Sequence, residues 1–418
     1  AAATAEAAAT ADAALEAARD ALAERLDAEL GETVTDHEVF ERHARYYEKE
    51  FLADLEALGV EPPDVLTRVT EYVPQVVSFI ERVVERGFAY ESNGSVYFDT
   101  AAFKGSHDYR KLVPAVGGAG TSAKEMAEGE GALGVAAAAT EKRSPNDFAL
   151  WKNSKRGEPA WPSPWGQGRP GWHIECSVMA SDIIGDNMDI HAGGSDLMFP
   201  HHDNEMAQSE AFHDTQQWVN YFLHAGHLHI RGLKMSKSLK NFVTIKQALQ
   251  EHSARQLRLM FLLQPWDKAC MYSDQVMGDA KAKEAAFKNF FGAVKAEMRK
   301  DWAAQAQAWR AEDRELHEAL GAAQRGVHAA LCDNIDTAGA IGALLDLVGV
   351  ANKYLAAATA PRVLVLRRAA AYVTSILRVF GLVAGNDEVG FGSAGGAGSA
   401  ASAEAAAAPY VSAAVAFR

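Results

Sequence analysis

A histidine, a glutamate and a cysteine near the middle of the chain have side chains that bind transition metals. His201 and Glu205 stand four residues apart, so a helix there would place both side chains on one face about a turn apart. With Cys176 upstream, they offer an imidazole, a carboxylate and a thiolate, which suit Zn²⁺ and leave one coordination position open. Spacing alone also allows His202 in place of His201. The ordinary structural explanation is a surface His–Glu pair and a small buried cysteine.

A second candidate site is the segment Lys-Met-Ser-Lys-Ser at residues 234–238. A mobile loop with two lysines can close on a triphosphate and stabilise the charge that develops when the α-phosphate is attacked. We therefore predict Lys234 and Lys237 as catalytic residues. The alternative is a basic turn before a helix that starts near Thr244.

The chain also contains a His-x-Gly-His sequence, His224 to His227, just before this lysine segment. A phosphate-binding motif of this form lies at the N-terminus of a helix, where backbone N–H groups face the phosphates. Here the alternation of residue types predicts extended chain with no helix after it. Extended chain from His227 to Lys234 spans about 23 Å, too far for both motifs to hold one triphosphate. We predict that this match is a coincidence.

Composition restricts the class of protein. The chain has 418 residues, enough for two or three domains, and its 48% hydrophobic residues are typical of a globular protein rather than a disordered one. Its three cysteines are widely spaced, which predicts no disulfide framework and a reducing compartment. No apolar run reaches eighteen residues, so we predict no membrane span. The N-terminal segment is Ala-rich and acidic, which argues against a transit peptide.

The net charge of −14 argues against binding of nucleic acid over the whole surface, because sequence-independent affinity comes from lysine and arginine. A local basic patch remains possible. The densest group of cations is Lys234, Lys237, Lys240, Lys246, Arg255 and Arg258. A solvated helix face is the simpler explanation of such a run.

Residue patterns predict the elements that must position these groups. Helical periodicity covers residues 4–58 and 64–86, and alternation about Asn93-Gly94 predicts a hairpin within Phe88–Thr100. A Gly/Ala-rich insertion covers 116–140, and the Trp-, Pro- and Gly-rich segment from Arg143 predicts ordered loops around a site. A short buried strand at Met188–Gly194 and a helix opening near His201 follow. Beyond Thr244 the pattern is helical to about residue 383, and a Gly/Ala/Ser-rich linker comes after it.

Three segments together resemble the eukaryotic type of cysteinyl-tRNA synthetase: Gly171–Ser177 (GWHIECS), Gly193–Glu205 (GGSDLMFPHHDNE) and Lys234–Phe242 (KMSKSLKNF). In that family, zinc is held by two cysteines, a histidine and a glutamate. The positions that match are Cys176, His201 and Glu205, so the resemblance favours His201 over His202. The resemblance further implies that Trp172 and His173 lie beside the bound cysteine. The residues implied to bind ATP are Gly194, Ser195, Asp196, Lys234, Met235, Ser236, Lys237 and Ser238.

The resemblance implies an α/β fold with part of a Rossmann-like class I synthetase catalytic domain, a helical insertion and a C-terminal helical bundle. Four regions are expected. Residues 1–142 form a helical connective region with a hairpin and a flexible insertion, and 143–245 form half of the catalytic domain, with the zinc site and the lysine loop. Residues 246–383 form a helical domain that contacts the tRNA stem, and 384–418 form a linker and a truncated tail.

The activity implied is that of a cytoplasmic ligase, with an organellar location left open, that activates L-cysteine with Mg²⁺-ATP and transfers it to tRNA-Cys. One Zn²⁺ per chain would select cysteine, because a soft metal ion prefers a thiolate to the hydroxyl of serine. The family's His-x-Gly-His motif and first zinc cysteine are expected upstream of this sequence, and its C-terminal end downstream. We therefore expect little aminoacylation by this chain alone. The alternatives are a ligase that joins cysteine to an amino sugar and a non-catalytic RNA-binding or assembly protein.

Overall fold

The structure is a computed structural model that describes residues 14–15, 18–19, 21–34, 36–114, 141–230, 232–235, 241–300, 308–392 and 410. The chain divides into two compact units. We call the first, Ala1–Glu50 with Pro63–His224, the sheet unit, and the second, Phe51–Pro62 with Ala225–Arg418, the helical unit. The predicted insertion at 116–140 lies outside the described residues, and the predicted domain boundaries stay predictions.

The sheet unit contains a five-stranded antiparallel sheet with the strand order β1-β2-β3-β5-β4. The strands are β1 (Ala89–Ser92), β2 (Ser95–Phe98), β3 (Phe148–Asn153), β4 (Trp161–Ser163) and β5 (Gly166–Pro170). The predicted hairpin is confirmed: Asn93 and Gly94 have φ values of 52° and 77°, which the two-residue turn between β1 and β2 requires.

The expectation that the tryptophan-rich segment forms only ordered loops is wrong, because β3, β4 and β5 lie in it. Its prolines and glycines obscure the strand pattern for local reasons. Pro162 lies on the edge strand β4, where a missing N–H breaks no ladder. A side chain at Gly171, directly after β5, would collide with the carbonyl oxygen of Ala149, so close backbone packing explains this glycine.

Helices cover the buried face of this sheet. The described helices of the sheet unit include α1 (His37–Ala57, which runs on into the helical unit), α2 (Val73–Glu85), α3 (Thr100–Phe103), α4 (Trp172–Ile184) and α5 (Asp203–His213). Helix α2 begins only at Val73, with a proline in its first turn, so the helical period predicted from residue 64 extends too far upstream. The sequence does not predict α4, which follows the N-cap residue Gly171. Residues from α2, β2, β3, α4 and α5 share one apolar core.

Strands β6 (Met188–Gly194) and β7 (Val219–Ala225) form a separate two-stranded sheet. The predicted strand at Met188–Gly194 therefore has the expected bounds, but the prediction that it is buried is wrong. Only Met188 of its residues is buried, and it packs with Met206 and Trp218. Ile190 is 57% exposed.

The helical unit holds the small sheet of β8 (Leu228–Ile230), β9 (Leu233–Lys234) and β10 (Cys270–Tyr272), in which β10 is parallel to β8 and β9 antiparallel to it. The sequence predicts only helices beyond Thr244, so β10 is a missed strand. The helices are α6 (Ile245–Glu251), α7 (Ala254–Leu262), α8 (Asp274–Met298), α9 (Ala311–Cys332), α10 (Thr337–Ala357) and α11 (Val363–Val379). Thr244 and Ser253 start α6 and α7 with capping boxes.

One apolar cluster forms the core of the helical unit, and it draws on α6 to α11. Val389 and Phe391, in the segment predicted as a linker, also belong to this core. Helix α10 is long and apolar enough to cross a membrane. Its residues Ile341, Leu344 and Leu347 are buried in the cluster, and the core helix of a bundle passes the same test of length and hydropathy.

Candidate functional site

The segment that leads into α5 places two histidines below the surface. Met198–His202 forms a wide helical turn in which Phe199 has extended backbone (φ −141°, ψ 136°), so the chain kinks directly before α5. From His201 to Ala211 every residue is buried, including Glu205, which is 1% exposed. The predicted helix near His201 is therefore present, but it lies inside the sheet unit and not on its surface.

Cys176, His201 and Glu205 converge. One ligand atom from each lies within 4.8 Å of the other two. Cys176 is on α4, His201 is in the turn that precedes α5, and Glu205 is in the first turn of α5. The distance between His201 Nε2 and Glu205 Oε1 is 2.6 Å. The structure thus brings together the three residues that the sequence predicts as metal ligands, and the explanation as a surface pair is wrong.

The protonation states of this group respond to burial. Burial raises the pKa of the Cys176 thiol, and the charges of Glu205 and Glu175 raise it further. Burial also opposes charge on Glu205, but the neighbouring rings of His191 and His201 more than compensate and lower its pKa to about 2. A cation at the centre would favour the thiolate, as metal ions do for ligating thiols.

Trp172 and His173, predicted to lie beside the substrate, both contact His201. The Trp172 ring stacks on the His201 ring with centroids 4.3 Å apart. His173 Nδ1 lies 2.9 Å from His201 Nδ1, which leaves His201 Nε2 facing Glu205. Burial, followed by repulsion from His201, lowers the pKa of His173 to about 3, so His173 is neutral at pH 7. A ring held in this way presents a fixed nitrogen to a metal ion.

Three further histidines form a second group on the other side of Glu205: His191, His202 and His224. The sequence offers His202 only as an alternative ligand and assigns neither His191 nor His224 to the site. His191 Nε2 lies 2.6 Å from Glu205 Oε2, and the His191 ring stacks on His202 at 4.1 Å. His202 Nδ1 in turn lies 2.8 Å from His224 Nε2. His191, His202 and Glu205 also lie within 4.8 Å of one another through their ligand atoms. The alternative ligand His202 thus belongs to this second group, not to the group of Cys176.

The His-x-Gly-His sequence is extended, as predicted. His224 lies on β7, and β8 and β9 follow, so the segment has no place at a helix N-terminus. The structure instead gives His224 a role that the motif does not suggest, as the partner of His202.

The residues predicted to bind ATP are described only in part. Gly194 ends β6, and Ser195 and Asp196 are exposed directly after it in the sheet unit. Lys234 ends β9 in the helical unit, and Met235 follows it. The other three, Ser236, Lys237 and Ser238, lie outside the described residues.

The donor set fits zinc on two grounds. Sulfur, imidazole nitrogen and carboxylate oxygen are the usual zinc ligands in proteins. In addition, Glu205 Oε1 is buried without a well-formed hydrogen bond, although it lies 2.6 Å from His201 Nε2. A buried charged oxygen with only a poorly directed contact is costly, and a shared cation would compensate for it. Among the described residues, the group includes no second cysteine: Cys270 contacts Gln264, and Cys332 is exposed.

Comparisons with known proteins show the family to which the chain belongs. The family described as the catalytic domain of class I (C) tRNA synthetases matches residues 26–282. The chain is 50% identical over 386 residues to "Cysteine--tRNA ligase, cytoplasmic" of Gallus gallus, covering 90% of this chain and 51% of that protein. It is 49% identical over 413 residues to the protein of that name in Homo sapiens, covering 97% of this chain and 55% of the relative. The chain thus spans about half the length of the curated relatives it matches.

Among solved structures, the chain is similar to Mycobacterium tuberculosis methionyl-tRNA synthetase in complex with methionyl-adenylate, with a TM-score of 0.58 and 14% identity. The match covers 80% of this chain and 78% of that one, and it shows a shared α/β fold. Because the family match covers more than half of the 418 residues, the chain belongs to the family of class I (C) tRNA synthetase catalytic domains.

Proposed function

We propose that this chain forms the amino-acid-selecting part of a cysteine–tRNA ligase, which activates L-cysteine with Mg²⁺-ATP and transfers it to tRNA-Cys. The observation that carries the proposal is the convergence of Cys176, His201 and Glu205 within 4.8 Å. The names of the relatives in chicken and human support the same activity. Those names also include the word cytoplasmic, and we propose that location here.

In this proposal one Zn²⁺ per chain is held by Cys176, His201 and Glu205. When bound, the ion supplies a position that accepts a thiolate far more readily than a hydroxyl, which would distinguish cysteine from serine without editing. Trp172 and His173 fix the orientation of the His201 ring through the stack and the hydrogen bond described above. The same two side chains lie next to the position of the substrate.

For ATP, we propose that Gly194, Ser195 and Asp196 bind the adenosine. Lys234 and Lys237, with Met235, Ser236 and Ser238, would bind the phosphates. Two lysines three residues apart supply the positive charge that the pentacovalent α-phosphate requires.

The helical unit offers a surface for tRNA in spite of the net charge of −14. Helix α8 carries two neighbouring rows of residues, each with a spacing of seven. One row consists of lysines and the other of small residues: Lys281, Lys288 and Lys295, and Gly278, Ala285 and Gly292. All of them are exposed except Lys295, which is half-buried. Small residues allow a close approach, and the lysines would neutralise phosphates. This row supports RNA as the acceptor over a free amino sugar, which would need no such surface.

The metal and the substrate can be tested together. Zinc per chain would be counted in the protein and in Cys176→Ser, and ATP–pyrophosphate exchange would be followed with cysteine or serine. We expect one zinc in the wild type and less in the variant, and we expect any exchange to depend on cysteine and not on serine. Equal zinc in both proteins would remove Cys176 from the site. Transfer of cysteine to an amino sugar instead of tRNA would identify the other ligase, and RNA binding without any exchange would identify a non-catalytic protein.

A further inference from the structure

A short irregular segment, Tyr109–Val113, runs along the helix that carries Glu205; we call it the strap. Every strap residue has a specific contact with α5 or with Phe199 in the turn that precedes it. The Arg110 guanidinium lies over the Phe199 ring at 4.3 Å, and the Tyr109 hydroxyl donates to Asn204 Oδ1 at 2.8 Å.

The remaining contacts involve two buried carboxylates of α5. The backbone N–H groups of Leu112 and Val113 donate to the two oxygens of Asp203 at 3.0 and 3.3 Å. Lys111 Nζ reaches both oxygens of Glu210, at 2.6 and 2.8 Å. The strap therefore spans most of α5, from the residue at its start to the last turn.

The partners of the strap are polar groups that cannot be buried alone. Asp203 and Glu210 are each 1% exposed, and Asn204 is 2% exposed. A buried carboxylate without partners costs several kcal/mol or becomes neutral. Because the strap supplies these partners, α5 can lie inside the sheet unit while it keeps a polar surface. An apolar helix would tolerate rotation at this position, but paired carboxylates allow one orientation.

The geometry of a helix connects this orientation to the candidate metal site. Positions 203 and 205 are about 200° apart around the axis, at 3.6 residues per turn. The strap thus holds α5 from the side opposite to Glu205. A small rotation of α5 would move the carboxylate of Glu205 away from Cys176, which lies on another helix.

We infer that the strap is a positioning element and that Asp203 and Lys111 are positioning residues that set the rotation of α5 and so aim His201 and Glu205 at Cys176. This inference rests on the proposed metal site. The strap does not touch the cation or the substrate. The strap affects the arrangement of the ligands, and this arrangement can be measured through the affinity and the spectrum of a bound metal ion.

The test uses Asp203→Asn in the whole protein. The new amide keeps one acceptor oxygen but turns its NH₂ group towards one of the two backbone N–H donors, so the strap loses one of its two anchors on this side chain without a large change of volume. Zinc affinity would be measured by competition with a chelator, and Co²⁺ would be used as a spectroscopic probe of ligand geometry. We expect zinc affinity to fall about 10- to 100-fold, as for other residues that orient metal ligands, and the visible spectrum of the Co²⁺ form to change. The KM for cysteine should rise more than kcat falls.

Asp147→Asn is the matched control. Asp147 is also 1% exposed and also accepts backbone N–H groups, from Thr100 at 3.1 Å and from Ser144 at 3.0 Å, but it belongs neither to the strap nor to α5. The Asp147→Asn variant should lower thermal stability about as much as Asp203→Asn does, and it should leave the Co²⁺ spectrum unchanged. Should Asp203→Asn not fold, Lys111→Met takes its place, with a smaller change in the same direction.

Two different failures can be told apart. A wild-type protein that binds neither Zn²⁺ nor Co²⁺ would overturn the proposed metal site. A wild-type protein that binds both, with Asp203→Asn and Lys111→Met no different from Asp147→Asn, would overturn the strap alone.

Discussion

Helices α5 and α10 are both extensively buried, but for opposite reasons. In α5, all nine residues from Asp203 to Ala211 are buried, and six of them are polar: Asp203, Asn204, Glu205, Gln208, Ser209 and Glu210. In α10, the buried residues are Ala340, Ile341, Leu344, Leu347, Val348, Ala351 and Tyr354. Burial of α10 follows from the hydrophobic effect, whereas burial of α5 depends on specific partners, which all of these polar side chains except Ser209 have.

The difference shows that the molecule buries several polar side chains, which lowers stability, in α5 and not in α10. Apolar burial is non-directional, so α10 would tolerate small shifts. Hydrogen bonds and ion pairs are directional, so α5 is held in one arrangement. A helix that presents ligands needs the second property, and a helix that fills a core needs only the first. The comparison predicts that substitutions in α5 affect chemistry more than stability and that those in α10 do the reverse.

The largest effect is expected for Glu205→Ala. The change removes a carboxylate with histidines on both sides, at 2.6 Å each. We expect zinc to be lost and cysteine-dependent ATP–pyrophosphate exchange to fall roughly 10³-fold, equivalent to several kcal/mol of transition-state stabilisation. Glu158→Ala, which removes the partner of Arg169 in the same unit, is the control and should keep its zinc. Normal zinc content in Glu205→Ala would contradict the proposed ligand set.

Leu344→Ala tests the other side of the comparison. Leu344 is fully buried in the core of the helical unit, so the cavity should lower the free energy of unfolding by about 2–5 kcal/mol. Urea unfolding measures the loss, and zinc content should stay at the wild-type value. Leu364→Ala, at a leucine that is 51% exposed, should change stability by less than about 0.5 kcal/mol. Loss of zinc in Leu344→Ala would break the distinction between the two helices.

Ser177→Ala measures how much a polar contact between α4 and α5 contributes to the free energy of unfolding. The Ser177 hydroxyl donates to Gln208 Oε1 at 2.6 Å, and both residues are fully buried. The variant leaves a buried amide oxygen without its partner, which should cost about 1–3 kcal/mol in unfolding free energy. Ser78→Ala, at an exposed position of α2, is the matched helical control. Equal, negligible losses in both variants would mean that α5 does not depend on its polar partners.

The smallest effect is expected at the surface of the helical unit. Replacement of Lys281 and Lys288 by glutamine should reduce the slope of log affinity for tRNA against log salt by about 1.4–1.8, since each phosphate contact contributes about 0.7–0.9. Lys353→Gln is the control, because Lys353 is exposed on α10 and does not belong to the lysine row of α8. An unchanged slope would place the RNA contacts elsewhere.

Elements with local signals can be predicted from the sequence. The helix start near Thr244 and the hairpin at Asn93-Gly94 depend on neighbouring residues only, and the structure confirms both. Strand β3 and its neighbours in the tryptophan-rich segment could not be predicted, because the glycines and prolines there suggest loops. Gly171, for example, is explained by close packing against the carbonyl of Ala149, a residue that is distant in sequence.

The candidate site divides in the same way. Residues His201 and Glu205 are visible through their four-residue spacing, and the resemblance adds Cys176. His191 and His224 were missed because they lie on separate strands and share no spacing with α5. With 14 histidines in the chain, neither stands out. Only the folded arrangement shows that they reach Glu205 and His202.

The uninterrupted burial of Asp203–Ala211 also determines how the sheet unit opens. Because these residues of α5 have neither solvent contact nor a free helix face, the amide hydrogens that are bonded within this part of the helix can exchange with deuterium only when the surrounding elements separate. The slowest-exchanging amides of this unit should therefore be those of residues 207–211, and their rate would report how often the unit unfolds as a whole.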